Sequence, residues 1–566
     1  MQKHWFLKLI STALVLVLLF QMLPVQSFAV VTESPSAAPT AEQPSEEPKP
    51  ATVIGEAESL RTETGKHFRL SDGSFLAVNY GTAVHYQDNS GDWQEIDNRP
   101  VLANNQAVYV AQNGDATTAY AAALTTGNVL SASYGDASVT MQLLDTAQAL
   151  SLIGLPGQIN ADAQAQLVTN GLTFNRTAAA NIVQDADAQV STYARSEKDE
   201  KQGWTAEDLY PAGMNATVLY EDVFPGVDLQ YTAYSHNIKE QIIINQVQSA
   251  YRYDFFLALD GLVAALNADG SVTLVDEAGD PVYSIPAPYM EDSAGMSSEE
   301  VTYTLTPVTG GAVLTVTADK VWIESEDRVF PVYVDPTLVL TTGDGTNDIL
   351  SVFSMEAAST TNTFGRQYQY VGNMPVGNNR GRYRMYLYFE NLPHIPDGAV
   401  ITNAQLRLYL RQYNQIGFSQ IPLAAYDMTT TLADSGYSSF FDWFARITWK
   451  KQPTYDTSNA IDYVWGSSTK DDRFFDLTEF AKKWYAKEDE ASIAIVAANE
   501  DKLTTSKYAS VGFFGYGVTS PPLFTVAYRH NVGIESYYSY ATLGAGSAGT
   551  AYIADATGQL KVAKKL

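Results

Sequence analysis

The sequence predicts an all-β protein, and three observations carry that expectation. Residues 381–411 read as two strands. Tyr383, Met385, Leu387 and Phe389 alternate with Arg382, Arg384, Tyr386 and Tyr388; then Ala404, Leu406, Leu408 and Leu410 alternate with Gln405, Arg407, Tyr409 and Arg411. A period of two gives each strand one buried face. The 566 residues include 35 tyrosines but only 17% charged side chains, which suits pleated, half-buried surfaces. Long helical periodicities are absent apart from short segments. The connection Asn391–Gly398 holds two prolines and an Asp-Gly pair, which is turn chemistry.

Read in order, residues 1–29 carry Lys3, His4 and Lys8, an apolar run from Leu9 to Leu23, and Ser27-Phe28-Ala29. This is the pattern of a cleaved secretory signal, so no membrane span is expected in the mature chain. Residues 30–58 are rich in Pro, Glu, Ser and Ala, with prolines at 35, 39, 44, 48 and 50; such a segment is expected to be a solvated spacer. Residues 59–337 form a β-rich region of one or two lobes, the second reading placing a split near 196–204. Short strands joined by Asp/Asn/Gly turns begin at Phe68, and a stronger block runs from Val218. Residues 107–195, rich in Ala, Thr and Gln, show no firm pattern. Asp335-Pro336-Thr337 marks a boundary, because a residue before proline is driven to an extended conformation. A third region spans 338–530. Its one clear helix is 476–485, with Leu477, Phe480, Ala481 and Trp484 on one face and Asp476 as the expected N-cap. Residues 531–566 follow as a separate segment.

Several kinds of chemistry are excluded or unsupported. There is no cysteine, so disulfides and thiolate sites are absent. The net charge of −28 argues against nucleic acid as a partner. The six histidines stand singly, with no H-E-x-x-H and no G-x-S-x-G. Residues 544–549 match G-x-G-x-x-G but lack the following helix, so they read as a flexible link. No cofactor is expected; at 343–348 a plain Asp/Asn/Gly turn is the first reading and a structural Ca2+ the second. The 63 carboxylates mark no pair across a cleft.

One patch stands out from the acidic background: Arg366, Arg380, Arg382 and Arg384, interleaved with Tyr368 and Tyr370 and with the tyrosines at 383, 386 and 388. Guanidinium groups fork onto carboxylates or phosphates, and tyrosine rings offer flat faces to sugars. The first reading is a solvated strand face whose arginines pair with acids elsewhere in the fold. The second is a ligand site for an anionic glycan, formed by Arg366, Tyr368, Tyr370, Arg380, Arg382 and Arg384.

Two resemblances extend this reading. The run Arg384–Phe389, Leu392-Pro393, Ile395-Pro396, Gly398-Ala399, Ile401, Ala404 and Leu406–Leu410, then Ile447-Thr448-Trp449 with Pro453, then Phe475–Thr478 leading to Trp484, resembles the DNRLRE-type domain. That is a jelly-roll sandwich grouped with carbohydrate-binding modules, and the match spans roughly Leu340 to His530. The stretches Ser59–Ser74, Val84–Asn98, Val223–Tyr231, Ile238–Ile244, Ile285–Gly295 and Arg328–Thr337 resemble the region that precedes the repeats in wall-associated and Rhs (YD-repeat) proteins of Firmicutes. Ile534–Tyr540 and Ile553–Leu560 resemble the passage into such repeats. The resemblance implies a secreted, non-enzymatic, wall-associated protein: the front end of a larger system, attached to cell-wall or extracellular polysaccharide, with a YD-repeat or toxin chain as a further partner. The alternative is a structural stalk, or a shell or plug for a toxin protein, with no sugar site. A polysaccharide-degrading enzyme is the third reading.

Overall fold

The computed structural model describes residues 50–566 apart from 105–106, 115, 155–171, 185–203, 205–208, 210–212, 215, 235–236, 295, 341–347, 357–358, 361–362, 364–365, 367, 376–380, 470–471, 516–521, 531–549, 555–559 and 566. The signal segment, the turn at 343–347, the glycine link at 544–549 and Arg380 lie outside the described residues. Strands dominate throughout, as the alternation predicts. The first three, β1 (Val53–Glu56), β2 (Gly65–Leu70) and β3 (Phe75–Asn79), form an antiparallel meander. The turn between β2 and β3 is fixed by the Asp72 carboxylate, which accepts from the Ser74 N–H at 3.0 Å. The strand at Val53 falls within the stretch read from composition as spacer.

Next come two large antiparallel sheets. One, of eight strands, joins Ala137–Leu144 to Arg252–Asp260 and runs out through Val108–Asn113 on one side and Val301–Val308 on the other. The second, of eleven strands, contains β4 (Asn237–Ile244), β5 (Tyr289–Asp292) and β6 (Val332–Asp335), and it also takes in Leu338–Leu340, beyond the Asp335-Pro336 step. A single core lies between these sheets, filled by Tyr120, Tyr220, Tyr231, Tyr253, Phe255 and Leu314. Strands from either side of 196–204 interleave in it. In the segment without a firm pattern, Ala, Thr and Ser crowd the strand Ala116–Ala121, where Tyr120 alone among large side chains enters the core, whereas Val139, Met141 and Leu143 alternate inward along Ala137–Leu144.

The sandwich follows: β7 (Ile349–Met355), β8 (Tyr368–Asn373), β9 (Arg382–Phe389), β10 (Val400–Ile416), β11 (Gln420–Met428), β12 (Tyr455–Ser467), β13 (Asp472–Asp476), β14 (Ser492–Ala497), β15 (Tyr508–Phe514) and β16 (Leu523–Arg529). The long strand β10 serves both sheets. Its first half pairs with β16 and β13, and its second half, after an irregularity at Leu410–Gln412, pairs with β15. The inward residues are those the alternation predicts: Met385, Leu387 and Phe389, with Ile493 and Ile495 beside them on β14, share one core with Leu406, Leu408, Val511 and Phe524.

The helix α1 (Thr478–Tyr485) inserts Trp484 between Phe389 and Phe524, with ring centroids 5.2 and 6.0 Å away. It begins later than the sequence suggests. Asp476 accepts from the N–H of Thr478 at 2.9 Å, closing a turn ahead of the helix, and Leu477 stands at the N-cap position.

The sandwich is not built from 338–530 alone. β3 pairs in register with β16, Leu76 opposite Ala527 and Val78 opposite Thr525, so the N-terminal meander extends one sheet of the sandwich. Phe68, Leu70, Leu76, Val78 and Tyr80 bury against Leu523 and Ala527. The Asp348 carboxylate joins the two segments again, accepting from Asn79 at 2.9 Å and from Asn391 at 2.8 Å.

Candidate functional site

The predicted arginine–tyrosine patch separates into two places. β8 carries Tyr368 and Tyr370 on its outward face, but that face is covered by the hairpin at 289–299. Tyr370 is 3% exposed, and its hydroxyl lies 3.0 Å from Glu291 Oε1 and 2.6 Å from Gln412 Oε1. Gly512 on β15 makes room for the ring, since a Cβ there would sit 2.9 Å from Tyr370 Cε1. Tyr368 stacks on Phe514 with centroids 5.5 Å apart. Burial pushes both tyrosine hydroxyls above their ordinary value. Arg366 is buried, donates to Ser297 Oγ at 3.3 Å, pairs with Glu299 and lies over the Tyr289 ring. These three residues therefore form the junction between the sandwich and the preceding sheets.

Arg382 and Arg384 occupy the second place, on the outer face of β9. Arg382 Nε donates to Glu356 at 2.7 Å. Arg384 grips Glu500 with Nε at 3.0 Å and Nη2 at 2.6 Å, and donates to Gln452 at 3.1 Å. Both guanidiniums lie over Trp449, at 4.9 and 4.7 Å from its ring centroid. The hydrogen bond to Glu356 holds Arg382 above its ordinary pKa; for Arg384 burial opposes the charge, and the Glu500 bonds outweigh it. The forks that could take a ligand anion are already on carboxylates. Their partners, Glu356 and Glu500, lie far away in sequence, so no spacing signal marks them.

Arg384→Ala would leave Glu500 without its bidentate partner. With both side chains under a fifth exposed, we expect a loss of about 2 kcal/mol in stability. Arg384→Lys should restore only part of it, since an ammonium cannot reproduce the fork. Urea unfolding midpoints measure both.

Among the described residues one group of metal-capable side chains comes together, Glu56, His85 and Glu95, with ligand atoms within 4.8 Å of one another. Single histidines and unmarked carboxylates gave no hint of it. Nδ1 of His85 lies 2.6 Å from the Thr62 carbonyl, burial lowers the imidazole pKa, and Nε2 has no partner. Two cations already occupy the carboxylates, however. Arg61 Nε sits 2.6 Å from Glu56, and Lys66 pairs with both Glu56 and Glu95. Two acids and two bases balance, so a divalent ion would meet Lys66 and Arg61 at its own site. The group holds β1, β2 and the strand at His85 together as an ion-pair cluster.

No protein-family model matches the chain. The tRNA nuclease WapA of Bacillus subtilis strain 168 is 25% identical over 515 residues, covering 85% of this chain and 19% of that protein. The tRNA3(Ser)-specific nuclease WapA of Bacillus spizizenii is 25% identical over 519 residues, with the same coverage of 85% and 19%. A wall-associated protein of Geobacillus stearothermophilus is 23% identical over 263 residues, covering 46% of this chain and 82% of that one. The chain is related to Firmicutes wall-associated proteins.

The chain spans 19% of the length of the tRNA nucleases it matches. Those names overturn the expectation of a non-enzymatic protein, because relatives aligned over 85% of this chain are called tRNA nucleases. A Paenibacillus xanthan lyase structure aligns with a TM-score of 0.09 at 8% identity, covering 84% of this chain and 56% of that one, which carries no argument. Among the described residues no helix is long and apolar enough to cross a membrane.

Proposed function

We propose that this chain is the body that presents a wall-associated tRNA-nuclease toxin system at the cell surface. The observation that carries this reading is the match of 85% of the chain to 19% of proteins named tRNA nucleases. A stretch aligned so fully to a minor share of much longer relatives fits a module shared across that system. The architecture suits a supporting body: the N-terminal meander, the paired sheets and the sandwich interlock through β3–β16 pairing and the Tyr370–Glu291 junction. In this reading Arg366, Tyr370, Arg382 and Arg384 hold the body together, and wall attachment relies on other surfaces.

The test is fractionation of producing cells combined with incubation of the purified chain with total tRNA. Recovery with the wall fraction is expected, and recovery wholly in the medium would overturn the proposal. Cleaved tRNA would assign nuclease chemistry to this chain itself. Intact tRNA would assign it to sequence outside the matched stretch.

A further inference from the structure

With no cysteine in the chain, a covalent tie between strands has to use other side chains, and one buried pair is placed for it. β4 is clamped on one flank at two points: Ile242, Ile243 and Ile244 pair with Val334, Tyr333 and Val332 of β6, and Ile238 pairs with Leu338. Between those points lies Pro336, which has no N–H to give to a ladder. There Lys239 and Asp335 meet, with Nζ 2.7 Å from Oδ2. Both side chains are less than a tenth exposed, which holds for no other lysine–carboxylate pair among the described residues. The other oxygen, Oδ1, accepts from the Thr337 hydroxyl at 2.5 Å. Tyr303 and Glu240 lie near enough for their charges and that of Asp335 to act on one another, and burial holds both in the neutral form at neutral pH. The Tyr303 hydroxyl and Glu240 Oε2 have no hydrogen-bond partner, so the surroundings of Asp335 are dry.

We propose that Lys239 and Asp335 become joined by an amide bond between Nζ and Cγ once the chain has folded. The ion pair holds every atom that the step needs. A proton passes from the ammonium to Oδ2, and the neutral amine attacks Cγ while the electron pair of the Cγ–Oδ1 double bond moves onto Oδ1, which the Thr337 hydroxyl stabilises. Return of that pair breaks the Cγ–Oδ2 bond. Oδ2 departs as water with a second proton from the nitrogen, and a neutral secondary amide remains. Folding supplies the proximity, since the two clamped registers fix amine and carboxyl side by side. Burial supplies the drive, because two charges that are costly to keep out of water disappear. Other buried pairs lack one of these conditions. Arg328 and Asp292 are as deeply buried, but a guanidinium does not give up its proton to become a nucleophile. Lys66 is buried, yet Glu95 is 42% exposed and Glu56 is shared with Arg61. With the Asp335 charge gone, burial, the larger cause, still keeps Glu240 protonated.

Mass spectrometry of the full chain, purified and then denatured, tests this. The parent is expected to weigh one water less than its sequence counted from the observed N-terminus, and its protease digest to contain a branched peptide joining residues 239 and 335. Lys239→Arg keeps a cation against Asp335 but cannot condense, so it should show the full mass and two separate peptides. On a denaturing gel the parent should run ahead of that variant, because a closed loop is more compact. Asp335→Asn offers ammonia as the leaving group in place of water, and should end with the same branched peptide and the same final mass as the parent. This second variant keeps the test independent of whether Lys239→Arg folds. Residues 239 and 335 found only in separate peptides of the parent would overturn the proposal and leave an ion pair alone. A missing water that persists in Lys239→Arg without a branched peptide, or final masses that differ between the parent and Asp335→Asn, would overturn it as well.

Discussion

A fragment spanning 338–530 will not fold as a stable sandwich, whereas one spanning 50–530 will. The shorter fragment contains every strand that its own sequence pattern calls for, but it strips β16 of its partner β3. Leu523 and Ala527 lose the cover of Phe68, Leu70, Leu76, Val78 and Tyr80, each of which is less than a tenth exposed in the whole chain. Burying a large apolar side chain contributes about 1.5–3 kcal/mol. Exposing the β16 face that they cover, and leaving its edge unpaired, therefore takes a large share of the ~5–15 kcal/mol stability of a typical domain. The fragment also uncovers Tyr370, Phe353 and Tyr383, which pack with Met296 from the preceding region. Circular dichroism and urea titration should show a broad, non-cooperative transition for 338–530 and a sigmoidal one for 50–530. A sharp transition in the short fragment would sink this account of the fold.

That expectation marks what the sequence could and could not disclose. Within one strand, side-chain alternation is a local signal, and it marks Met385, Leu387 and Phe389 as the buried face of β9, where they lie. The face of α1 bearing Ala481 and Trp484 was legible for the same reason, at helical spacing. Pairing between β3 and β16 is not local. Its register is set by shared burial of residues more than four hundred positions apart, and neither strand alone announces its neighbour. Along Ala116–Ala121 and Asn128–Tyr134 Ala, Ser and Thr fill so many positions that alternation loses contrast.

The arginine patch shows the same limit on the side of chemistry. Its composition was visible, but whether a guanidinium is free or paired depends on acids delivered by other strands and loops, here Glu299, Glu356 and Glu500. No motif separates Tyr463 and Trp465 from the buried aromatics of the chain; exposure, which no sequence states, is what distinguishes them.

Raising the pH from about 5 to about 9 should cost the protein several kcal/mol of stability, and Glu240→Gln should remove a large part of that loss. Glu240 on β4 is 1% exposed; one carboxylate oxygen accepts from Tyr231 at 2.8 Å and the other has no partner. Burial, with the nearby Asp335 carboxylate, pushes its pKa up to about 8, although the Tyr231 hydrogen bond pulls the other way. Asp335 is itself paired with Lys239 at 2.7 Å, so that lysine is engaged elsewhere. At the junction, burial raises Glu291 to about 7 against the opposing bonds from Tyr370 and Gln412 and the charges of Lys239 and Arg366.

Both carboxyls sit near 4.5 when unperturbed, so the unfolded chain releases these protons first. Each group's stabilising contribution is complete below that value, falls as pH rises, and is exhausted above about 7 for Glu291 and about 8 for Glu240. The shifts correspond to roughly 3–5 kcal/mol for each group. A glutamine at 240 keeps an oxygen for the Tyr231 hydroxyl but cannot ionise. The variant should therefore track the parent near pH 5 and exceed it increasingly toward pH 8. Urea midpoints across that range give the difference directly, and parallel profiles for parent and variant would show that Glu240 is charged in the folded core. Glu291→Gln applies the same test to the junction, where a gain at alkaline pH should come with slower proteolysis of the hairpin at 289–299, because an ionised Glu291 is hydrated only when the hairpin leaves β8, and this cost of burial outweighs the bonds it accepts from Tyr370 and Gln412.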